Sequence, residues 1–177
     1  FPKVSNRYLP LEKIDDYLKN VNKPFCLIIA SDYPHGPFPK TDNYNKADIF
    51  KLPYDPNYVG NHKPGYYQNI KDDNDQLGKV LEMVDKYGHK ENSMFIYASD
   101  HGLSGKWSLQ EQGLRLPFIV RWPGKIKPNT TSETLLTLVD VLPTILEVSK
   151  TKIPTELDGK SFVKSLKGDD KQINEYI

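Results

Sequence analysis

The sequence has few of the features that mark several classes of protein. Its 177 residues include one cysteine, Cys26, which excludes an intramolecular disulfide framework and a cysteine-rich zinc module. Basic and acidic side chains number 24 and 23, and this balance gives no sign of binding to nucleic acid or to an anionic membrane. No run approaches the ~18 apolar residues that cross a bilayer, and residues 1–6 lack the regions of a signal peptide.

The sequence does contain enough apolar surface for one core. Apolar residues make up 37% of the chain and aromatic residues 11%, whereas the mean hydropathy of -0.62 predicts a well-solvated surface. The length fits a single domain, because domains usually run to roughly 100 to 150 residues.

Apolar residues recur at spacings that predict helices and short strands in alternation. In the first helix, Leu11, Ile14 and Leu18 lie three or four residues apart. The predicted strands are apolar throughout, as is typical of parallel strands covered on both faces. We therefore expect an α/β fold with a mostly parallel sheet and flanking helices. In chain order the predicted elements are helix 10–21, strand 25–30, helix 66–87 ended by Gly88, strands 94–98 and 117–122, helix 135–150 interrupted at Pro143, and a short helix at 161–166.

Histidine-bearing turns follow two of the predicted strands. The first turn carries His35, and the second carries Asp100 and His101, with Lys106 shortly after them. Ligands of open α/β sheets bind beyond the carboxyl ends of the strands, so these turns are the first candidates for a site. Asp100 and His101 offer an oxygen and an imidazole to a divalent cation, whereas His35 and Lys106 offer hydrogen-bond donors to a tetrahedral anion.

Each of these residues also has a purely structural interpretation. Asp100-His101-Gly102 after a strand is often a turn in which the aspartate caps the backbone and the glycine supplies a positive φ. Lys106 alone is typical of a solvated surface charge, and His35 of a packed loop residue. Three other residues are assigned to structure or surface: Cys26 as a small buried hydrophobe, and His62 and His89 as exposed side chains.

A series of motifs runs along residues 24–166. The motifs are a proline-flanked histidine at 33–37, Ser-Asp-His-Gly at 99–102, Gly-Lys-Trp at 105–107, the stretch 112–124, Leu-Val-Asp-Val-Leu-Pro-Thr at 138–144 and Leu-Asp-Gly-Lys-Ser at 157–161. Their order favours the functional interpretation, because it resembles that of the sulfatase family.

This resemblance implies a fold, a reaction and roles for individual residues. Sulfatases belong to the alkaline phosphatase superfamily, and they hydrolyse sulfate esters or sulfamates with a formylglycine beside a bound calcium. At the matching positions, Asp100 and His101 would be calcium ligands. Lys106 would bind a sulfate oxygen and help at the leaving group, and His35 would contact the sulfate or protonate the leaving oxygen. Positive groups held in this way stabilise the charge on the sulfuryl oxygens in the transition state.

The sequence lacks two elements of the family pattern. The C/S-x-P-S/A-R motif that supplies the formylglycine is absent, and so is the N-terminal strand with its paired aspartates. His101 also stands where many members have asparagine, and imidazole is softer than the ligands that calcium prefers. We therefore expect residues 1–177 to be the C-terminal part of a catalytic domain, cut at both ends, inactive alone and a weak calcium binder. An open sheet edge and an exposed apolar face should result.

Two other functions compete with this one. A metal-dependent phosphodiesterase or phosphonate hydrolase of the same superfamily shares the Asp-His-Gly turn, although its zinc enzymes usually need a further histidine and none follows His101. A non-catalytic carbohydrate-binding module would use the eleven tyrosines and two tryptophans for stacking on sugars.

The resemblance also suggests a substrate class and a location. Gly105-Lys106-Trp107 followed by Arg115 looks most like members that act on sulfated glycans, including heparan-type sulfamidases. Lysines in the proline-rich connection 31–64 either face such a polyanion or are simply solvated. Sulfatases are generally secreted, periplasmic or lysosomal, so we expect an exported parent protein.

Overall fold

The structure is a computed structural model that describes residues 8–44, 64–102, 109–169 and 171–176. The chain divides into two compact units, Phe1–His89 and Lys90–Ile177. Within the described ranges, no helix is both long and apolar enough to cross a membrane.

Two helices, α1 (Leu11–Asn20) and α2 (Pro64–Lys86), pack together in the first unit. Ile14 and Leu18 on α1 are buried, as are Val80 and Val84 on the C-terminal half of α2. Gly88, at a φ of 77°, follows the end of α2 and adopts the left-handed conformation that favours glycine. Both predicted helices and the terminating glycine are thus confirmed.

The buried face of α2 is polar in its N-terminal half, which the apolar pattern did not predict. The apolar residue Ile70 is 41% exposed, whereas the polar residues Asn69, Asp73 and Gln76 are buried. The physical reason is that these polar side chains bind backbone groups of Leu9 and His35 and the Ser31 hydroxyl, while the C-terminal half of the helix packs on α1.

The predicted buried strand at 25–30 is wrong for the residues that the structure describes. The segment has no strand pairing there, and Ile28 is 87% exposed. Cys26 is also exposed, contrary to expectation, because burial on both faces requires neighbouring strands and no strand in the described ranges pairs with this segment. At its start, the Phe25 ring packs edge-on against those of Tyr17 and His89.

His89 was expected to be an exposed side chain, and it is instead half-buried. Its Nε2 lies 2.8 Å from the carbonyl oxygen of Leu18, near the end of α1. The imidazole therefore links the C-terminal end of α1 to the segment that follows α2.

The second unit contains a two-stranded sheet of β1 (Phe95–Ala98) and β2 (Phe118–Arg121). Both strands were predicted, but their pairing is antiparallel, with Phe95 opposite Arg121 and Ala98 opposite Phe118. A parallel pair needs a crossover that is usually a helix, and the helix described between these strands, α3 (Glu111–Leu114), is a single turn. The mostly parallel sheet expected from the sequence is therefore not found among the described strands.

The rest of this unit is helical. A 3₁₀ turn at Leu138–Asp140 runs into α4 (Val141–Val148), and α5 (Val163–Leu166) follows after a loop. The sequence predicted that Pro143 interrupts this helix, and it does not. Pro143 lies in the first turn of α4, where helical N–H groups lack carbonyl partners in any case. The Phe162 ring, fully buried, packs edge-on against Phe118 of β2.

Asp140 connects these helical segments. Its fully buried carboxylate accepts hydrogen bonds from the backbone N–H of Thr137 at 2.9 Å and of Lys160 at 2.7 Å, and from Asn174 Nδ2 at 2.8 Å. Its backbone carbonyl oxygen accepts a hydrogen bond from the Thr144 hydroxyl. A buried carboxylate is tolerated when several donors replace its water shell, and here the donors come from three separate segments.

Gly159 brings one of those segments close to the 3₁₀ turn. A Cβ at this position would lie 2.1 Å from the carbonyl oxygen of Val139, so only glycine fits without movement of the backbone. Two sequence motifs, 138–144 and 157–161, are therefore explained by packing against each other.

Candidate functional site

The loop that carries His35 follows the extended segment 25–30. The His35 backbone N–H donates to the Asp32 carbonyl at 3.1 Å, and its Nδ1 lies 2.9 Å from the Gly36 carbonyl oxygen. The peptide bonds before Pro34 and Pro37 are both cis. His35 is exposed.

Helix α2 holds this loop at three points. The buried amide Nδ2 of Asn69 donates to the His35 carbonyl at 3.0 Å, and the buried carboxylate of Asp73 accepts the Ser31 hydroxyl. At the first turn of α2, a Cβ on Gly65 would lie 2.1 Å from the Pro39 carbonyl oxygen. The backbone on both sides of His35 is therefore fixed to the helix.

Asp100 and His101 lie on a turn directly after β1. Backbone bonds tie this turn to the chain that leads into β2: Ser99 N–H donates to the Pro117 carbonyl and Gly102 N–H to the Gly113 carbonyl. The Ser99 hydroxyl donates to the His101 carbonyl at 2.7 Å. The turn is thus held by backbone bonds and by the Ser99 hydroxyl.

The two side chains lie close to one another. His101 Nδ1 is 2.7 Å from the Gly102 carbonyl oxygen, and in the tautomer that donates this bond Nε2 carries the lone pair. Nε2 is 3.9 Å from Asp100 Oδ1, and the Asp100 carboxylate is 84% exposed. Two ligand atoms at about 2.3–2.6 Å from one calcium can be this far apart, so the pair fits two positions of a cation site.

The described residues do not complete such a site. Among them, no group of three or more histidine, cysteine, aspartate or glutamate side chains is placed to hold a metal. Calcium takes six to eight oxygen ligands, so Asp100 and His101 supply a minority of its shell.

The structure places the four predicted site residues as follows. Asp100 and His101 are brought together in the second unit, and His35 lies in the first unit. Lys106, with the neighbouring Trp107, lies outside the described residues, as does His62.

Sequence reasoning missed the residues that hold the His35 loop. Gly65, Asn69 and Asp73 are spaced by four, which places them on one face of α2. The spacing of four is visible in the sequence, but the periodicity that predicts a buried helix face is that of apolar residues, and these three residues are polar or glycine.

The chain is similar to known proteins over most of its length. The family model described as Sulfatase matches residues 9–151. An ulvan-active sulfatase from Formosa agariphila is 43% identical over 179 residues, covering 98% of this chain and 36% of that protein. An N-acetylglucosamine-6-sulfatase from Bos taurus is 28% identical over 188 residues, covering 86% of this chain and 33% of that protein. The chain spans about a third of the length of these curated relatives.

Several solved structures are also similar to this chain. A structure from work on glycosaminoglycan metabolism by Bacteroides thetaiotaomicron is 26% identical with a TM-score of 0.71, covering 93% of this chain and 40% of that chain. A phosphonate monoester hydrolase from Silicibacter pomeroyi is 26% identical with a TM-score of 0.54, covering 58% of this chain and 22% of that chain.

Proposed function

Because this chain belongs to the sulfatase family, we propose that it forms part of an enzyme that hydrolyses sulfate esters or sulfamates of a glycan. The observation that carries the proposal is the turn after β1, which presents the Asp100 carboxylate and the His101 imidazole together. Backbone bonds and the Ser99 hydroxyl hold that turn together with the contact of His101 Nδ1 to the Gly102 carbonyl oxygen, so the Asp100 carboxylate and His101 Nε2 are the groups proposed to bind a cation.

Each residue of the site has a chemical role in this proposal. Sulfatases generally use calcium, which when bound supplies positive charge to the sulfate oxygens. Asp100 and His101 would hold part of that ion's shell. Lys106 would donate to a sulfate oxygen. His35 would donate a proton to the leaving oxygen as the sulfur–oxygen bond breaks, so that the sugar departs as an alcohol rather than an alkoxide.

We propose further that the nucleophile is supplied from outside residues 1–177. The family generally uses formylglycine, and no C/S-x-P-S/A-R motif occurs in this sequence. The chain also spans about a third of its curated relatives. It would then be the C-terminal part of a catalytic domain, and the remaining part of that domain would be its obligate partner.

The substrate class is tested with a panel of sulfated compounds. Ulvan oligosaccharides and N-acetylglucosamine 6-sulfate are the first choices, because similar proteins are named for these substrates. Sulfate release by the full-length protein is measured by ion chromatography. Phenol release from phenyl phosphonate esters is measured for comparison. We expect sulfate release from at least one glycan. Faster hydrolysis of the phosphonate esters than of every sulfate would favour the phosphonate hydrolase alternative.

The carbohydrate-binding alternative predicts a different result. A binding module holds its sugar without a nucleophile, whereas part of an active site should not. Calorimetric titration of residues 1–177 with sulfated and desulfated ulvan oligosaccharides distinguishes the two functions, and tight binding of either by this chain alone would favour the module.

We also propose that the parent protein is exported, since the family acts mainly in secreted, periplasmic and lysosomal compartments. Fractionation of cells of the source organism, followed by immunoblotting, tests this location.

A further inference from the structure

The loop that carries His35 lies along one face of α2. Gly65, Asn69 and Asp73, here named the α2 stripe, are spaced by four and all are buried. Their separation spans about 12 Å of helix, at about 1.5 Å per residue. Loop and helix run in opposite directions, because Asp73 contacts Ser31 while Gly65 lies against Pro39. Asn69, at the middle of the stripe, meets His35.

The burial of Asn69 needs a physical explanation. Its side chain is 1% exposed, and burying an amide is costly unless it forms hydrogen bonds. Its Nδ2 donates to the His35 carbonyl at 3.0 Å and lies 3.4 Å from the Pro34 carbonyl oxygen. An apolar side chain would be buried at lower cost at this position, so the amide is explained by the loop backbone that it binds.

We propose that Asn69 is a positioning residue for the sulfatase reaction. Through the His35 carbonyl it fixes the backbone from which the imidazole projects, while Asp73 and Gly65 fix the loop on either side. A displacement of about 1 Å at a reacting group can cost about 100-fold in rate, so loss of this bond should reduce turnover even though Asn69 touches no substrate. This inference rests on the role proposed for His35.

The test uses the full-length protein and the glycan sulfate from the panel that the wild type hydrolyses fastest. Asn69→Leu, which keeps the side-chain volume and removes the donor, is expected to lower kcat by about 10- to 100-fold and to change KM by less than about threefold. In a His35→Ala background, the same change is expected to lower kcat no further, because the two residues act as one unit.

Gln76→Leu is the matched control. Gln76 is another buried amide of α2, but it accepts the backbone N–H of Leu9 instead of holding the His35 loop. Its replacement is expected to leave kcat and KM within about threefold of wild type. If Asn69→Leu does not fold by circular dichroism, Asn69→Ser replaces it, since that hydroxyl is too short to reach the His35 carbonyl.

The outcomes separate the two hypotheses. An unchanged kcat in His35→Ala overturns the role proposed for His35, and this inference with it. A loss in His35→Ala without one in the Asn69 variant overturns the inference alone. So does a loss that multiplies in the double variant, or an equal loss in Gln76→Leu, because a merely structural residue would behave in those ways.

Discussion

The predicted site residues of the two units differ in how they are held. His35 is fixed through its backbone by α2, whereas Asp100 and His101 are held by backbone bonds around their own turn. In both places the supporting contacts involve the main chain, so replacement of a site side chain should change chemistry more than stability.

His35→Ala should show whether this residue donates a proton to the leaving oxygen. A sugar alkoxide is a poor leaving group and needs that proton, whereas 4-nitrocatecholate leaves without it. General acid catalysis contributes about 10²–10⁴-fold, so we expect a loss of that size on a glycan sulfate and a much smaller one on 4-nitrocatechol sulfate. The measurement is kcat for each substrate in the full-length protein. Equal losses on both would mean that His35 contacts the sulfate without acting as the acid.

Asp140 is expected to act in stability rather than in catalysis. Asp140→Asn replaces an acceptor oxygen by an NH₂ group that faces an N–H donor, and the mismatch should cost about 1–3 kcal/mol. Asp158→Asn, at an exposed position of a neighbouring motif, should stay within about 0.5 kcal/mol of wild type. Urea denaturation of both variants checks the difference, and similar midpoints would show that the buried carboxylate is unimportant.

At the scale of elements, helix α2 performs two tasks with one face. Its C-terminal half buries valines against α1, and its N-terminal half uses small and polar side chains against the His35 loop. Periodicity predicted the limits of α1 and α2 within a few residues, because an apolar stripe reports a helix directly. It mispredicted the buried face of α2, since the partner of a helix cannot be read from the helix alone.

Two glycine substitutions on α2 are predicted to have opposite effects. In Gly65→Ala the new methyl group would overlap the Pro39 carbonyl, which should cost about 1–3 kcal/mol or more. In Gly78→Ala the methyl group meets nothing within 4 Å, and removal of glycine from a helix interior should gain about 0.5–1 kcal/mol. Urea denaturation measures both. A destabilised Gly78→Ala would mean that α2 is covered on that side in the full-length protein.

The contact between α1 and the end of α2 should depend on pH. The pKa of Asp15 is lowered from its ordinary value of 3.8, chiefly by a hydrogen bond from the Tyr87 hydroxyl at 2.8 Å and also by Lys86. A lowered folded-state pKa stabilises the protein above the unfolded-state pKa, and this contribution is lost as the pH falls through the folded-state value. Tyr87→Phe should therefore lower Tm at pH 7 and have a smaller effect as the pH falls below the unfolded-state pKa, as thermal denaturation at pH 7 and pH 3 can verify.

At the scale of the whole molecule, the α/β class and the alkaline-phosphatase-like fold are confirmed by the solved structures, although the described strands pair antiparallel. The sequence predicted family membership because motifs such as Ser-Asp-His-Gly at 99–102 lie in the family's order. It did not predict that the motifs at 138–144 and 157–161 pack on one another, because that contact depends on long-range geometry around Asp140. The places of Asp100 and His101 after a strand were predicted correctly, and their 3.9 Å approach required the structure.

Activity is expected to require more than residues 1–177. Purified alone, this chain should release no sulfate from 4-nitrocatechol sulfate, because it contains no source of formylglycine. The full-length protein, produced with a formylglycine-generating system, should turn the reporter over. Turnover by the isolated chain at a comparable rate would overturn the proposal that the nucleophile lies elsewhere.

The exposed segment 25–30 has a consequence for handling the isolated chain. Six consecutive apolar residues, extended and without strand neighbours in the described part of the chain, form a window with high β-propensity and no charge. Pro24 on one side and Asp32 on the other are the types of residue that act as gatekeepers against intermolecular β-pairing. Despite these flanking residues, we expect aggregation of the 177-residue chain to begin at this exposed apolar window, and a charged replacement at Ile28, 87% exposed, should improve its solubility.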